Sequence, residues 1–335
     1  MRAIEIAIVG FGRVAELFHL PIIRSIKGVC LVGVYDITPE RKAVAKKLGL
    51  ECFGSLEALA RDERIQAVAV CTPTNLHYRQ VKALLRHRKH VLLEKPMTLT
   101  AGEAAGLIRL AKEMRCVLTV FHNRRYDSDF LTVKQCLERQ QLGRIVSIQS
   151  RVQNWGTMSP FGVECFYQNW RDERKWGGGG LYDWGSHLID QLLQLPRPRI
   201  RTVYANVQPG IFSHDCDDFF CASIEYADGS HATLEVNYMT MYPQPRWLII
   251  GEKATLIAHS HRPHDITAYF SHQKIEKHLA PVAGNARVIC QTFVNKIRGS
   301  GELAVKPEEA LRGMRLMDAF RNSARLHKSV QVSSR

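Results

Sequence analysis

The chain has 335 residues, 45% of them hydrophobic and 23% charged, with a formal net charge of +14. This length exceeds one ordinary core and suits two domains, and the composition is that of a globular protein. No run approaches the roughly 18 consecutive apolar residues of a spanning helix. The basic residues are scattered, so neither a membrane nor a specific nucleic-acid partner is expected, and the positive field suits a dinucleotide or an acidic metabolite.

The opening residues, Met1 to Ile6, run directly into a strand pattern. They lack the apolar core and small-residue cleavage site of a secretory signal, so the cytoplasm is the expected compartment. Residues 3–9 (AIEIAIV) form an apolar run that reads as a buried strand, followed by a helix over about 13–26. Residues 30–35 (CLVGVY) are the next strand. Thr38, Pro39 and Glu40 supply an N-cap, a proline at the first helical position and a first-turn acid, opening a helix to about 48. Ser55 caps a short helix to about 60. Strands follow at 66–71 (QAVAVC) and 90–93 (HVLL), with a helix at 76–87 between them. The basic cluster at 86–90 ends that helix, where cations suit the dipole. Thr100 and Glu103 form a capping box for a helix to about 114, and 116–121 (CVLTVF) is the last strand of this half. Apolar strands alternating with helices indicate a doubly wound parallel sheet covered on both faces, a Rossmann arrangement.

The pattern changes near residue 125. A helix spans about 128–141, and strand-like stretches follow at 144–153, 200–209, 218–226, 231–240, 245–250 and 254–259. Ala227-Asp228-Gly229-Ser230 is a hairpin-turn signal. One helix lies near 185–195, and Pro307-Glu308-Glu309 opens a final helix to about 326. The expected architecture is thus α/β plus α+β: a Rossmann domain at 1–122 and an open, mostly antiparallel sheet domain at 123–305. Helices are expected on one sheet face. The other, carrying residues such as Phe220, Trp247 and Ile249, would be left for self-association as a homodimer or homotetramer. The nine cysteines, Cys165 among them, are odd in number and contain no CxxC pair, so neither a disulfide framework nor a metal site is expected.

Gly10-Phe11-Gly12-Arg13-Val14-Ala15 follows the first strand and opens the first helix, matching G-x-G-x-x-G/A. The first glycine permits the tight turn, the second allows backbone approach to a pyrophosphate, and Ala15 allows close helix–strand packing. Asp36, 21 residues beyond Ala15, ends the second strand, where a carboxylate accepts hydrogen bonds from the adenine ribose. It repels an extra phosphate there, which favours NAD, with NADP as the open alternative.

Two further motifs carry candidate chemistry. Glu94-Lys95-Pro96 follows a strand of the parallel sheet, the end at which such sheets bind ligands. A lysine there can polarise a substrate oxygen; the plainer account is a surface lysine in a turn. The Lys95–Pro96 bond is expected to be cis. In Gly177-Gly178-Gly179-Gly180-Leu181-Tyr182-Asp183-Trp184-Gly185-Ser186-His187, Asp183 and His187 are four apart and share a helix face. Histidine is the natural proton acceptor near neutral pH; the plainer account is a capping aspartate and a satisfied histidine.

Taken together, GFGRVA, CTPTNLHY (71–78), EKP (94–96), NRRYDSDF (123–130) and GGGGLYDWGSHLIDQ (177–191) resemble the Gfo/Idh/MocA family of oxidoreductases, most closely the branch of inositol dehydrogenases and YvaA-like proteins. The resemblance implies hydride transfer between NAD or NADP and a sugar, inositol or related polyol. It implies that Lys95 sits at the hydride-transfer centre, His187 is the general acid/base and Asp183 is its acidic neighbour. Thr72, Pro73, Asn75 and His77 would belong to the loop beside the nicotinamide, and Glu94 to a position near its ribose. Asn123, Arg124, Tyr126, Trp170 and Arg171 would line the inter-domain cleft, and the final helix at 307–326 would return to the Rossmann domain. Two rivals share the fold: a non-catalytic dinucleotide sensor, which need not keep Lys95, Asp183 and His187 together, and a biliverdin-reductase-like enzyme. The polar Asn123, Arg124, Arg125 and Tyr126 favour a polyol over a planar apolar ligand.

Overall fold

The computed structural model describes residues 3–156, 163, 170–259, 262–270 and 275–332. Its first sheet contains β1 (Ile4–Val9), β2 (Val29–Tyr35), β3 (Glu51–Cys52), β4 (Ala67–Val70), β5 (His90–Leu93) and β6 (Leu118–Val120), in the order β3-β2-β1-β4-β5-β6. Every pairing is parallel. All four residues of β4 are fully buried, as expected for a strand covered on both faces. The strand order reverses between β1 and β4, so a crevice opens beyond their carboxyl ends.

The helices of this half are α1 (Leu20–Ser25), α2 (Pro39–Lys47), α3 (Leu56–Arg61), α4 (Thr74–Arg86) and α5 (Ala101–Glu113). In place of one uniform helix over 13–26, a wider π-helical turn at Ala15–His19 precedes α1. Pro21 has no N–H to donate to the carbonyl four residues back, which loosens the ladder there. At α5 the Thr100 side chain accepts from Glu103 N at 3.3 Å, while the Glu103 carboxylate accepts from Leu99 N at 3.1 Å, one residue earlier than a strict capping box requires.

The second sheet has nine strands: β7 (Ile145–Gln153), β8 (Ile200–Gln208), β9 (Phe219–Tyr226), β10 (His231–Asn237), β11 (Trp247–Gly251), β12 (Ala254–His259), β13 (Arg262–Phe270), β14 (Ile275–His278) and β15 (Val330–Gln331). Their order is β14-β13-β12-β11-β7-β10-β9-β8-β15, and among the described residues only β7 with β10 is parallel. Strand β14 escapes the sequence reading because all four of its residues are exposed, leaving no apolar alternation. The helices of this half are α6 (Ser128–Glu138), α7 (Ser186–Leu193), α8 (Arg287–Ile297) and α9 (Pro307–Leu326), preceded by a 3-10 turn at Asn123–Tyr126.

One expectation is overturned. Phe220, Trp247 and Ile249 do not lie on an open face; all three are fully buried beneath helices. The Phe220 ring meets Phe320 of α9 at 5.5 Å, and Trp247 meets Phe130 of α6 at 6.1 Å. Burying such a side chain contributes roughly 1.5–3 kcal/mol, which favours the helix-covered face for Trp247, the largest apolar residue of β11. The opposite face carries their strand neighbours Leu248 and Ile250, and Ile250 is 37% exposed.

Helix α9 ties the two halves together. Asp318 accepts from Ala101 N at the start of α5 (2.9 Å), and Glu309 pairs with Arg125 at 2.6 Å. The described cysteines are all free thiols; Cys165 lies outside the described residues. Among the described residues no helix is long and apolar enough to cross a membrane.

Candidate active site

The crevice between β1 and β4 is built on Gly10. Its φ is +84°, and a Cβ there would lie 2.8 Å from Thr72 Cγ2 and 2.9 Å from the Cys71 carbonyl carbon. Only glycine satisfies both the left-handed backbone and the close approach. Asp36 closes the far side. Its carboxylate accepts from Phe11 N at 2.6 Å and from Thr38 N at 2.8 Å. Each oxygen keeps a second lone pair for a ribose hydroxyl. A cavity of about 320 Å³ runs from Asp36 past Gly10, Gly12, Arg13 and Val14 to Thr72 and Pro73, and on to Glu94 and Lys95. A glycine cradle at a helix start with a carboxylate beside it fits a dinucleotide. Arg13 is buried, and burial together with the charge of Arg171 depresses its pKa.

Three residues expected at the dinucleotide do not line this cavity. The Phe11 side chain is fully buried, beneath the Arg41 guanidinium at 5.2 Å. His77 is buried with one ring nitrogen 3.0 Å from Pro96 O and the other 2.9 Å from Thr72 O. Asn75 donates to Lys175 O at 2.8 Å. His77 and Asn75 thus fasten the 72–75 loop to the Lys95–Pro96 turn and to the second domain rather than line the cavity.

A second cavity, of about 430 Å³, shares Arg13, Val14, Glu94, Lys95 and Arg171 with the first and adds Asn123, Arg124, Asp183, Trp184 and His187. The Lys95–Pro96 bond is cis. Lys95 Nζ donates to Asp183 Oδ1 at 2.7 Å and to the Asp183 carbonyl at 3.1 Å. Arg171 Nε lies 3.4 Å from the same carboxylate oxygen. Burial raises the Asp183 pKa, but Lys95 and Arg171 outweigh it and bring the carboxyl to about 2. Burial lowers the pKa of Lys95, against the opposing pull of Asp183. His187, in the first turn of α7, is driven well below the usual imidazole value by burial and then by the cations Lys95 and Arg124. It is therefore a neutral base, and its buried Nδ1 has no hydrogen-bond partner among the described residues.

The glycine run sets Asp183 and His187 in place. A Cβ on Gly178 would fall 2.2 Å from Arg171 O, and one on Gly179, where φ is +108°, would fall 2.1 Å from Asp217 Oδ1. Asp217 accepts from Leu181 N at 2.7 Å through its carboxylate and from Gly180 N at 2.9 Å through its carbonyl. It thereby caps the π-helical turn Leu181–Gly185 that carries Asp183 and leads into α7.

Some expected cleft residues sit elsewhere. Tyr126 does not line the substrate cavity; it packs against the core, with its carbonyl close against Gly284. Arg125 is locked away, donating to both Asp190 oxygens at 2.8 and 2.7 Å and to Glu309. Trp170 lines the dinucleotide cavity, with the Arg171 guanidinium 4.5 Å from its ring. The sequence reading missed Asn154, Trp155 and Tyr238 in the substrate cavity, and Asp217 behind it. Asn154 and Tyr238 each follow the end of an alternating strand, a placement that marks a rim position. Asp217 stands in the acid-rich run His214-Asp215-Cys216-Asp217-Asp218. Glu94 was expected, but its partner was not: His19 Nε2 meets it at 2.7 Å from the first helix.

Two family models match. Residues 4–122 match the Gfo/Idh/MocA oxidoreductase family with an NAD-binding Rossmann fold, and residues 130–257 match the Gfo/Idh/MocA C-terminal domain. An uncharacterized oxidoreductase of Schizosaccharomyces pombe is 37% identical over 58% of this chain, an alignment spanning about half (52%) of that relative. The scyllo-inositol 2-dehydrogenase (NADP(+)) of Bacillus subtilis is 27% identical, with 98% of this chain and 96% of the relative covered. The crystal structure of an NAD-binding protein from Listeria innocua superposes with a TM-score of 0.89 at 28% identity, covering 98% of this chain and 97% of that one. A parallel sheet with a glycine cradle for NAD(P), joined to an open antiparallel sheet, is the architecture these matches share; the chain belongs to the Gfo/Idh/MocA family of oxidoreductases.

Proposed function

We propose that this oxidoreductase moves a hydride between NAD(P) and a CH–OH carbon of a sugar, inositol or related polyol. The observation that carries the reading is the 2.7 Å pair between Lys95, at the end of a Rossmann strand, and Asp183, one turn before His187. It brings both halves of the chain to one cavity that opens onto the dinucleotide crevice. When bound, NAD(P) supplies the hydride acceptor for oxidation and the donor for reduction.

His187 takes the hydroxyl proton as the alcohol is oxidised and returns it in the reverse direction. Its neutrality suits the first role. The Lys95 ammonium stabilises negative charge growing on the substrate oxygen. Asp183 orients that ammonium and offers its remaining lone pairs to a neighbouring hydroxyl. Asn123, Arg124 and Asn154 supply further partners for a ring of hydroxyls, while Trp155 and Trp184 offer apolar faces to its C–H side. Similarity to a scyllo-inositol dehydrogenase supports the inositol class. The test is a panel of inositols, aldoses and sugar acids with NAD and NADP, followed by absorbance of the reduced cofactor. Turnover of at least one polyol is expected, and turnover of none across the panel overturns the substrate class.

A further inference from the structure

A cavity of about 350 Å³ lies away from the cleft, where α7 ends and β8 begins, against the middle of α9. Its floor is apolar: Leu192, Leu195, Tyr226 and Leu316 are all buried there. Its rim is cationic, made by Arg197 and Arg199 from the α7–β8 connection and by Arg312 and Arg315 from α9. Among the described residues no aspartate or glutamate lines it.

Arg197 is held rigidly. Its guanidinium pairs with Asp228 at 3.1 Å, donates to Ser230 and stands 5.2 Å from the Tyr226 ring centroid. Its side chain is only 10% exposed, yet its Nε is buried with no hydrogen-bond partner among the described residues. A buried donor left unpaired costs on the order of 1–3 kcal/mol, so this guanidinium is held at the cavity wall by its remaining contacts rather than by full pairing. Cations near the C-terminal end of α7 complement the helix dipole, which accounts for the connection arginines. It does not account for α9, where Arg312 and Arg315 stand three apart in the interior of a 20-residue helix. Like charges at that spacing repel. Neither Arg199 nor Arg312 has an acidic partner among the described residues.

We propose that this cavity binds an organic anion: a phosphate or carboxylate at the guanidinium rim, with an aryl or short acyl body on the leucine floor. Guanidiniums pair with either anion through two parallel N–H donors, and the volume holds a ligand of modest size beside the anion.

The test is calorimetric titration of the full chain saturated with NADH, so that the dinucleotide crevice is already filled. The probes are phenyl phosphate, benzoate and inorganic phosphate. Saturable binding of phenyl phosphate or benzoate, one per chain and at least about tenfold tighter than inorganic phosphate, is expected. The Arg199→Glu/Arg312→Glu protein should lose that binding by about tenfold or more while keeping its NADH affinity. Both side chains are exposed; Arg312→Gln alone, with a smaller loss, serves if the double variant does not fold. Absence of binding by both organic anions, equal affinity for inorganic phosphate, or unchanged binding in the variants overturns the proposal.

Discussion

Lys95 Nζ lies 2.7 Å from Asp183 Oδ1, joining residues 88 apart in the chain across the two domains. Their side chains are 10% and 16% exposed, so the pair is largely out of water. Each partner makes the charge of the other tolerable. Removing one leaves an uncompensated buried ion, which costs more than the net worth of the pair.

The variants at this pair therefore separate chemistry from electrostatics. Lys95→Ala should lower kcat by roughly 10²–10³-fold, the loss typical of one donor to a developing oxyanion. Asp183→Asn removes the charge that holds the Lys95 pKa up. The alkaline limb of its pH–rate profile should move to lower pH than in wild type. An unmoved limb, or wild-type kcat in Lys95→Ala, contradicts the assignment.

The cofactor preference follows from the Asp36 and Arg41 environments. Asp36 presents a carboxylate where the NADP phosphate would sit. Arg41 of α2, a candidate cation for that phosphate, is fully buried, donates to Phe11 O at 2.7 Å and pairs with Glu16. The expected outcome is a higher kcat/KM with NAD than with NADP, and Asp36→Ser should narrow the ratio. The similar scyllo-inositol dehydrogenase is NADP(+)-dependent by name, so a measured preference for NADP would show that another cation serves the phosphate.

Self-association is expected through the face of the second sheet that α6, α7 and α9 do not cover. Register sets Ile250, Thr255 and Tyr269 in one cross-strand row, and Leu248, Ile257 and Thr267 in the next. Ile250 and Tyr269 are 37% and 44% exposed. We propose a homodimer or homotetramer buried on these rows. Light scattering at micromolar concentration should report a multiple of 38.1 kDa, and Ile250→Lys should lower the mass. A monomeric wild type contradicts the proposal.

Much of this was legible in the chain itself, for physical reasons. Runs such as AVAV are buried on both faces, and a glycine loop between a strand and a helix admits few uses. Side-chain direction was less legible. Arg125 sits in a run of polar residues that reads as a cleft wall, yet its partners Asp190 and Glu309 are 65 and 184 residues away, and they turn it into the core. The open face of the second sheet was misassigned for a related reason. Alternation shows that a strand has two faces, but only the helices packed on it decide which face is covered. Helix α8 buries Ile289, Cys290, Phe293 and Val294 at helical spacing, and Asn285, whose Oδ1 accepts from Arg287 N at 3.0 Å, marks its start.

Asp217 should act as a stability switch. Burial pushes its carboxyl from 3.8 up to about 7. The folded state therefore holds a proton that the unfolded chain has lost between those two values, and stability contributed by this group falls as pH rises through that window. Asparagine keeps an acceptor for Leu181 N without the charge. The Tm of Asp217→Asn minus that of wild type should become more positive from pH 5 to pH 8. A difference that stays constant or declines over that range removes the argument.

His187 provides the most direct test of the chemistry. Oxidation needs an unprotonated base, and burial with the charges of Lys95 and Arg124 holds this imidazole well below its ordinary 6.5. The acid limb of kcat for oxidation should therefore lie below pH 6.5, with activity retained at pH 6. The alkaline limb should lie below 10.5, because burial also lowers the Lys95 pKa. His187→Ala should lower kcat by roughly 10²–10⁴-fold, as expected for a general acid–base group, and should abolish the acid limb. NADH affinity should change little, because the proposed dinucleotide site is the 10–15 loop and Asp36 rather than α7. A variant that loses NADH binding together with turnover would make the histidine a structural support of the cleft. A full-rate variant would move the proton transfer to another group, for which Tyr238 is a candidate: it is buried in the same cavity with its hydroxyl unpaired among described residues.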